Sequence, residues 1–324
     1  MNIDLVSWTK AAAFLSSGVC MGFGAIGAAV GEGYAASEAN LAVSRKPELS
    51  GEIFKTMLVG QAVAESASIF ALVVSMLLLF SGVTNNSWIE VSVVLGAGIC
   101  MGFGALGSGI GSGYPAAAAC TGMARQPAAS SRLTTNMLIG SAVCQTPSIF
   151  SLVVSFILLF TNFSTRAVNP TWAALLGAGI ATGLAAIGPG LGGGLVAKAS
   201  CDGVARNPEK AGPITNVMLL GQAVTQTTAI YGMLVSFILM FKVMEPTTTW
   251  AAPAAMLSAG ICMGFGAFGP GVGEGMAGMS AVDWISRNPS ATADITRIML
   301  VGQAVAESTG IYSLVISLVL IFVV

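Results

Sequence analysis

Histidine is absent from this 324-residue sequence, and charged side chains make up only 8% of it. Soluble domains carry roughly 25% charged residues, so a water-facing surface of the size this chain would need cannot be clothed. That excludes a pair of soluble domains, and the near-neutral balance of −1 offers no basic surface to nucleic acid. Cysteine is scarce too. The six present (Cys20, Cys100, Cys120, Cys144, Cys201, Cys262) lie in apolar Gly/Ala-rich stretches. Without CxxC spacing or any histidine they cannot complete a zinc set, so they are expected to be small buried hydrophobes. Met1–Asp4 has no basic n-region, and the first apolar stretch outlasts a signal h-region. That stretch is expected to be retained as a helix.

What the sequence does have is apolar length: 55% hydrophobic residues and a mean hydropathy of +0.84. A membrane protein follows, and its length is counted in spans. Internal repetition sets the count. Gln61-Ala-Val-Ala-Glu-Ser66 recurs as Ser141-Ala-Val-Cys-Gln-Thr146, Gln222-Ala-Val-Thr-Gln-Thr227 and Gln303-Ala-Val-Ala-Glu-Ser308. A second marker, Arg45-Lys-Pro47, recurs in step as Arg125-Gln-Pro127, Arg206-Asn-Pro208 and Arg287-Asn-Pro289. Four repeats of about 80 residues result.

In each repeat a Gly/Ala-rich apolar stretch precedes the Arg-x-Pro marker, and a Val/Ile/Leu/Phe-rich stretch follows it. Backbone groups in hydrocarbon must be satisfied within their own segment, so these stretches are helices. The fold class expected is an all-α membrane protein of eight transmembrane helices, near 11–43, 54–81, 89–123, 132–161, 171–204, 213–241, 250–285 and 292–323. Proline and polar residues close each pair into a hairpin, which divides the chain into units 1–84, 85–165, 166–246 and 247–324. Nine of the 13 Lys and Arg residues cluster at the four Arg-x-Pro loops. The positive-inside bias puts those loops in the cytoplasm and the termini and the linkers near 82–88, 162–170 and 242–249 outside.

The first helix of each repeat carries Gly27-xxx-Gly31, Gly107-xxx-Gly111, Gly188-xxx-Gly192 or Gly269-xxx-Gly273. Small residues let helix backbones approach closely, so the glycine helices are expected to form an inner layer with the bulkier helices outside. The same run matches GxGxxG, but inside a span and with no preceding strand it is read as packing rather than nucleotide binding.

Glu32, Glu65, Glu274 and Glu307 fall deep within the spans, whereas Glu38 lies nearer a loop. An intramembrane carboxylate is costly unless protonated, paired or cation-bound, which points to an ion or proton pathway. Glu32 and Glu65, and likewise Glu274 and Glu307, are 33 residues apart across a hairpin, so antiparallel pairing brings each pair to one depth. Two carboxyls there cannot both ionise without a cation. Ser66 and Ser308 add hydroxyl oxygens of the kind a hard cation such as Na⁺ prefers. The second and third repeats have Ser112 with Gln145 and Gly193 with Gln226 instead. Neither glutamine ionises, and these hairpins read as silent spacers.

At these residues the chain resembles the ring-forming proteolipid of F-type ATP synthases, the c subunit, most closely its Na⁺-coupled bacterial members. Gly269-Pro-Gly-Val-Gly-Glu-Gly275, Arg287-Asn-Pro289 and Gly302-Gln-Ala-Val-Ala-Glu-Ser-Thr-Gly-Ile-Tyr312 occur in order and look like one whole c subunit. The resemblance implies a rotor ring that moves Na⁺ or H⁺, is non-catalytic itself and needs no cofactor. The implied ion site consists of Glu65 and Glu307, with Glu32 and Glu274 standing where the family has glutamine. The Val63 and Val305 carbonyls, the Ser66 and Ser308 hydroxyls and a locking Tyr312 complete it, while the first repeat has Phe70. Partners implied are copies of the chain, alone or mixed with single-hairpin c subunits, a stator a subunit bearing an arginine, and a central stalk gripped by the loops at Arg45, Arg125, Arg206 and Arg287. A bacterial plasma membrane is the implied location. The competing class is a self-contained channel or secondary transporter, which also uses repeats and midplane charges.

Overall fold

A residue that precedes proline is pushed out of the helical region by the proline ring, and this fixes where each first helix of a pair ends. In the computed structural model, which describes residues 5–80 and 87–323, the residue before proline is extended each time. Lys46, Gln126, Asn207 and Asn288 have φ between −141° and −133° and ψ between 73° and 81°. The proline then opens a three-residue 3₁₀ turn that feeds the second helix.

The helices are α1 (Leu5–Arg45), α2 (Ser50–Phe80), α3 (Trp88–Arg125), α4 (Ser130–Cys144), α5 (Thr146–Phe160), α6 (Val168–Arg206), α7 (Ala211–Thr225), α8 (Thr227–Phe241), α9 (Ala251–Arg287) and α10 (Thr292–Val323). Among the described residues none is in a strand. Eight segments are long and apolar enough to cross a membrane, as the sequence pattern requires. At about 1.5 Å per residue, helices of this length exceed a hydrocarbon core of about 30 Å, so their ends project beyond it. Each glycine helix runs on to the arginine of its loop rather than ending short of it. Residues 81–86 of the first linker lie outside the described residues.

Two expected helices, 132–161 and 213–241, are each interrupted by a turn at Gln145 and Gln226. Pro147 accounts for the first turn, because it has no N–H to offer the Val143 carbonyl. Hairpin 3 bends at the matching residue without a proline. The helices that carry Glu65 and Glu307, α2 and α10, are continuous.

Packing follows the glycine pattern. The inner helices stand in the order α1, α3, α6, α9, each against the next, with the second helix of every hairpin behind its own first. A Cβ placed on Gly27 would lie 2.6 Å from Leu106 Cα, and one on Gly107 would lie 2.5 Å from Ile187 Cα. Gly188 meets the Phe268 backbone in the same register. Only absent side chains permit that approach. The second helices are stitched to the first by one repeated serine. Ser75, Ser155, Ser236 and Ser317 donate to the carbonyls of Ser17, Ala97, Ala178 and Ala259 at 3.2, 2.9, 2.6 and 3.0 Å. Large apolar side chains such as Phe54, Leu72, Ile149, Leu234 and Phe322 stay exposed on the second helices, the face turned to lipid. Five of the six cysteines are buried and Cys262 is half-buried, and all six are free thiols.

Candidate ion-binding site

Four equivalent positions lie halfway along the hairpins, and one register of hydrogen bonds fixes them all. Gln61, Gln222 and Gln303 each donate to the carbonyl of the residue 29 positions earlier, at Glu32, Gly193 and Glu274, at 3.1, 3.0 and 3.1 Å. Ser141 does the same to Ser112 at 3.3 Å. This places residue 65 opposite 32 and residue 307 opposite 274, as the 33-residue spacing requires. The glutamates of each pair are close enough for their charges to interact.

The four positions differ in what fills them. In hairpin 2 the Gln145 amide nitrogen sits between two oxygens, 2.6 Å from Ser112 Oγ and 3.0 Å from the Val63 carbonyl of hairpin 1. It thus occupies a place between oxygens that a cation could take. In hairpin 3 Gly193 provides no side chain, and the Gln226 amide reaches only the Pro189 carbonyl at 3.5 Å. In hairpin 4 Glu274 is fully buried, and neither of its carboxyl oxygens has a hydrogen-bond partner. Beside it Glu307 accepts a 2.6 Å hydrogen bond from the Tyr231 hydroxyl of hairpin 3. In hairpin 1 Glu32 is half-buried and Glu65 exposed.

The side chains singled out from the sequence are therefore divided between neighbouring hairpins. Ser66 and Ser308 turn back on the Val63 and Val305 carbonyls at 2.6 and 2.7 Å, which brings each hydroxyl to its carbonyl. The Val63 carbonyl, however, is hydrogen-bonded to Gln145 of the next hairpin. Tyr312 is 65% exposed at the open edge of hairpin 4, and the hydroxyl on Glu307 comes from Tyr231 instead. Sequence reasoning passed over Tyr231, although its place five residues after Gln226, matching Tyr312 after Glu307, marked it. Among the loop arginines, Arg125 pairs with Asp202 of α6 at 3.2 Å and Arg206 with Asp283 of α9 at 2.9 Å. Each pair ties a loop to the next hairpin, and Arg287 turns to Asp283 on its own helix at 3.1 Å.

What the arrangement can do follows from the carboxyls. A fully buried carboxyl without a partner is stable only when it is protonated or shares a cation. A phenol that donates to the second carboxyl can hold that carboxyl in place while it is loaded.

The family model of the ATP synthase C subunit matches this chain four times, over residues 15–78, 95–158, 176–239 and 257–320. The ATP synthase c subunit of Petrotoga mobilis is 53% identical over 68 residues, covering 21% of this chain and 71% of that protein. That of Thermotoga petrophila is also 53% identical over 68 residues, covering 21% of this chain and 80% of that protein. A longer match is the K subunit of the A-type ATP synthase of Methanocaldococcus jannaschii, 30% identical over 230 residues, which cover 71% of this chain and 96% of that protein.

Proposed function

The chain belongs to the ATP synthase C-subunit family, and from that premise we propose how its four hairpins divide the work of an ion-translocating rotor ring. The units 1–84 and 247–324 carry ions on Glu65 and Glu307, with Glu32 and Glu274 as second carboxyls. The units 85–165 and 166–246 carry Gln145 and Gln226 and hold the ring together without exchanging charge. Sodium is the cargo this reading favours, with the proton as the other candidate. The observation that carries it is the pair Glu274 and Glu307. One carboxyl is wholly buried with both oxygens unpartnered, and the other is held by a phenol. A proton needs one oxygen, whereas these two carboxyls with nearby carbonyl and hydroxyl oxygens provide the larger set that Na⁺ requires.

In operation a loaded carboxylate turns through the lipid as a neutral group and is released where a stator arginine meets it. Each glutamate passes that stator once per turn. The loops at Arg45, Arg125, Arg206 and Arg287 face the central stalk. Cytoplasmic loops in a bacterial plasma membrane fit the clustering of Lys and Arg at those loops. The inter-hairpin ion pairs Arg125–Asp202 and Arg206–Asp283 would stiffen the loops for that grip.

Carbodiimide labelling tests the division of labour, because the reagent reacts with protonated carboxyls in apolar surroundings. Glu65 and Glu307 should be modified, with no adduct in residues 85–246. Modification confined to loop acids such as Glu48 or Glu209 would overturn the assignment.

A further inference from the structure

Near the loop end of each inner helix, one position of the repeat is held by Ala42, Gly122 and Gly203 in the first three hairpins. Ala42 is buried. A Cβ on Gly122 would lie 3.1 Å from Ala205 Cβ, and one on Gly203 would lie 2.9 Å from Ser286 Cβ, each time in the following hairpin. The fourth residue of the series is Trp284, 53% exposed at the free edge of hairpin 4. A space that fits at most a methyl group cannot take an indole. The hairpin that follows the fourth therefore cannot approach it there as α6 approaches α3 and α9 approaches α6.

The polar ties change at the same place. Arg125 and Arg206 reach Asp202 and Asp283 of the next hairpin. These aspartates stand four residues before the loop arginines of their own hairpins, a position that Leu41 holds in hairpin 1 and Thr121 in hairpin 2. Leu41 is 40% exposed. Arg287 has no following aspartate within the chain, and it turns to Asp283 of its own helix with its guanidinium 5.2 Å from the Trp284 ring centroid. On the second helices Thr56 and Asn136 are buried against the next hairpin, donating to Met123 Sδ at 3.5 Å and to Ser200 Oγ at 2.9 Å. Their counterpart in hairpin 4 is Ile298, 71% exposed. Trp284 and Ile298 line one cavity of about 420 Å³ together with Ile295 and Met299. Hairpin 4 thus ends on an apolar slot at positions that internal junctions fill with small or polar residues.

We propose that this slot receives Leu41 of a second copy of this chain, so that an apolar lock of Leu41 on Trp284 joins the copies in place of the arginine–aspartate tie used inside the chain. The occupant follows from continuity, because the free edge repeats, position for position, surfaces that the internal junctions bury. It follows also from character: of the four hairpins, only the first offers a large apolar side chain at the position that meets this edge. The contact is head to tail, of the kind that closes a ring. The lock selects which hairpin follows the fourth, and it rests on ring assembly alone, independent of which glutamates carry ions.

The test measures the recovery of SDS-resistant rings of the full chain. Leu41→Asp and Trp284→Ala install residue types that the matching positions already hold, and both sites are exposed in the single chain. Helical content and thermal midpoint of the solubilised chain should therefore not change. Burying one leucine is worth about tenfold in association, so either variant alone should lower ring recovery at least tenfold. Co-expression of L41D chains with W284A chains should restore rings in which the two kinds alternate. Each junction then pairs either Leu41 with Trp284 or an aspartate with Arg287 beside alanine. The double variant should also form rings by itself, and those rings, unlike the parent's, should weaken as salt is raised. Unchanged ring recovery in L41D or W284A, no rescue on co-expression, or a double variant in which the two losses add would overturn the proposal.

Discussion

Replacing Gly107 by alanine should separate two inner helices, by a distance that the backbone contacts define. The new Cβ would lie 2.5 Å from Ile187 Cα and 2.7 Å from Ile187 O, both backbone atoms that no rotamer change can move. Ordinary contact begins at 3.4 Å, so α3 and α6 must part by the difference, about 0.9 Å. Overpacking of this kind costs ~1–3 kcal/mol, and it also loosens the neighbouring approach of Gly111 to Gly190. Gly269 is the control. It has the same place in the repeat, but nothing lies within 4 Å of its Cβ inside one chain. G107A should therefore lower the thermal midpoint of the detergent-solubilised chain, and G269A should leave that midpoint unchanged while reducing the recovery of SDS-resistant rings. Equal midpoints for G107A and the parent chain would refute the argument that these glycines set the helix spacing. So would an equal loss of midpoint in G269A.

Other outcomes are open to direct measurement. Millimolar sodium should slow carbodiimide labelling of Glu307 at fixed pH; a rate set by pH alone would assign the rotor to protons. Gln303→Leu removes two hydrogen bonds, to the Gly221 and Glu274 carbonyls, and should cost ~1–3 kcal/mol, read as a lower thermal midpoint, with a value within error of the parent counting against the stitch. In a ring closed by copies of this chain alone, the proposed division of labour leaves one working site per two hairpins, and the membrane then delivers half the work per turn of a fully loaded ring of equal size, each charge being worth about 2.3 kcal/mol per 100 mV. The complete enzyme in liposomes should then pump sodium at the expense of ATP and make ATP only at high potential, and robust synthesis at a modest driving force would refute the low gearing.

The hairpins were legible in the sequence because the membrane leaves few choices. An apolar stretch that must satisfy its own backbone is a helix, and Arg-x-Pro cannot continue one. The depth pairing of Glu32 with Glu65 and of Glu274 with Glu307 was also legible, since it depends only on counting residues along antiparallel helices. Two features were not. The turns at Gln145 and Gln226 lie within stretches whose hydropathy is unbroken, and only Pro147 hinted at one of them. The partition of the site between hairpins was hidden for a different reason. Sequence spacing reports which residues share a hairpin, but whether Tyr231 or Tyr312 reaches Glu307 depends on which face of α8 turns toward α10.

Four hairpins in one polypeptide also change what a single gene can vary. In a ring built from identical one-hairpin subunits, every mutation is copied to every position, so a glutamate exchanged for glutamine removes all the sites at once. Here α3 and α6 keep backbone contacts as close as those of α1 and α9, although their hairpins carry Gln145 and Gln226. On the proposed division of labour, fusion lets the duty to pack and the duty to carry be inherited separately. The number of ions moved per turn thereby becomes a property that point mutation can adjust one position at a time, with the size of the wheel left alone.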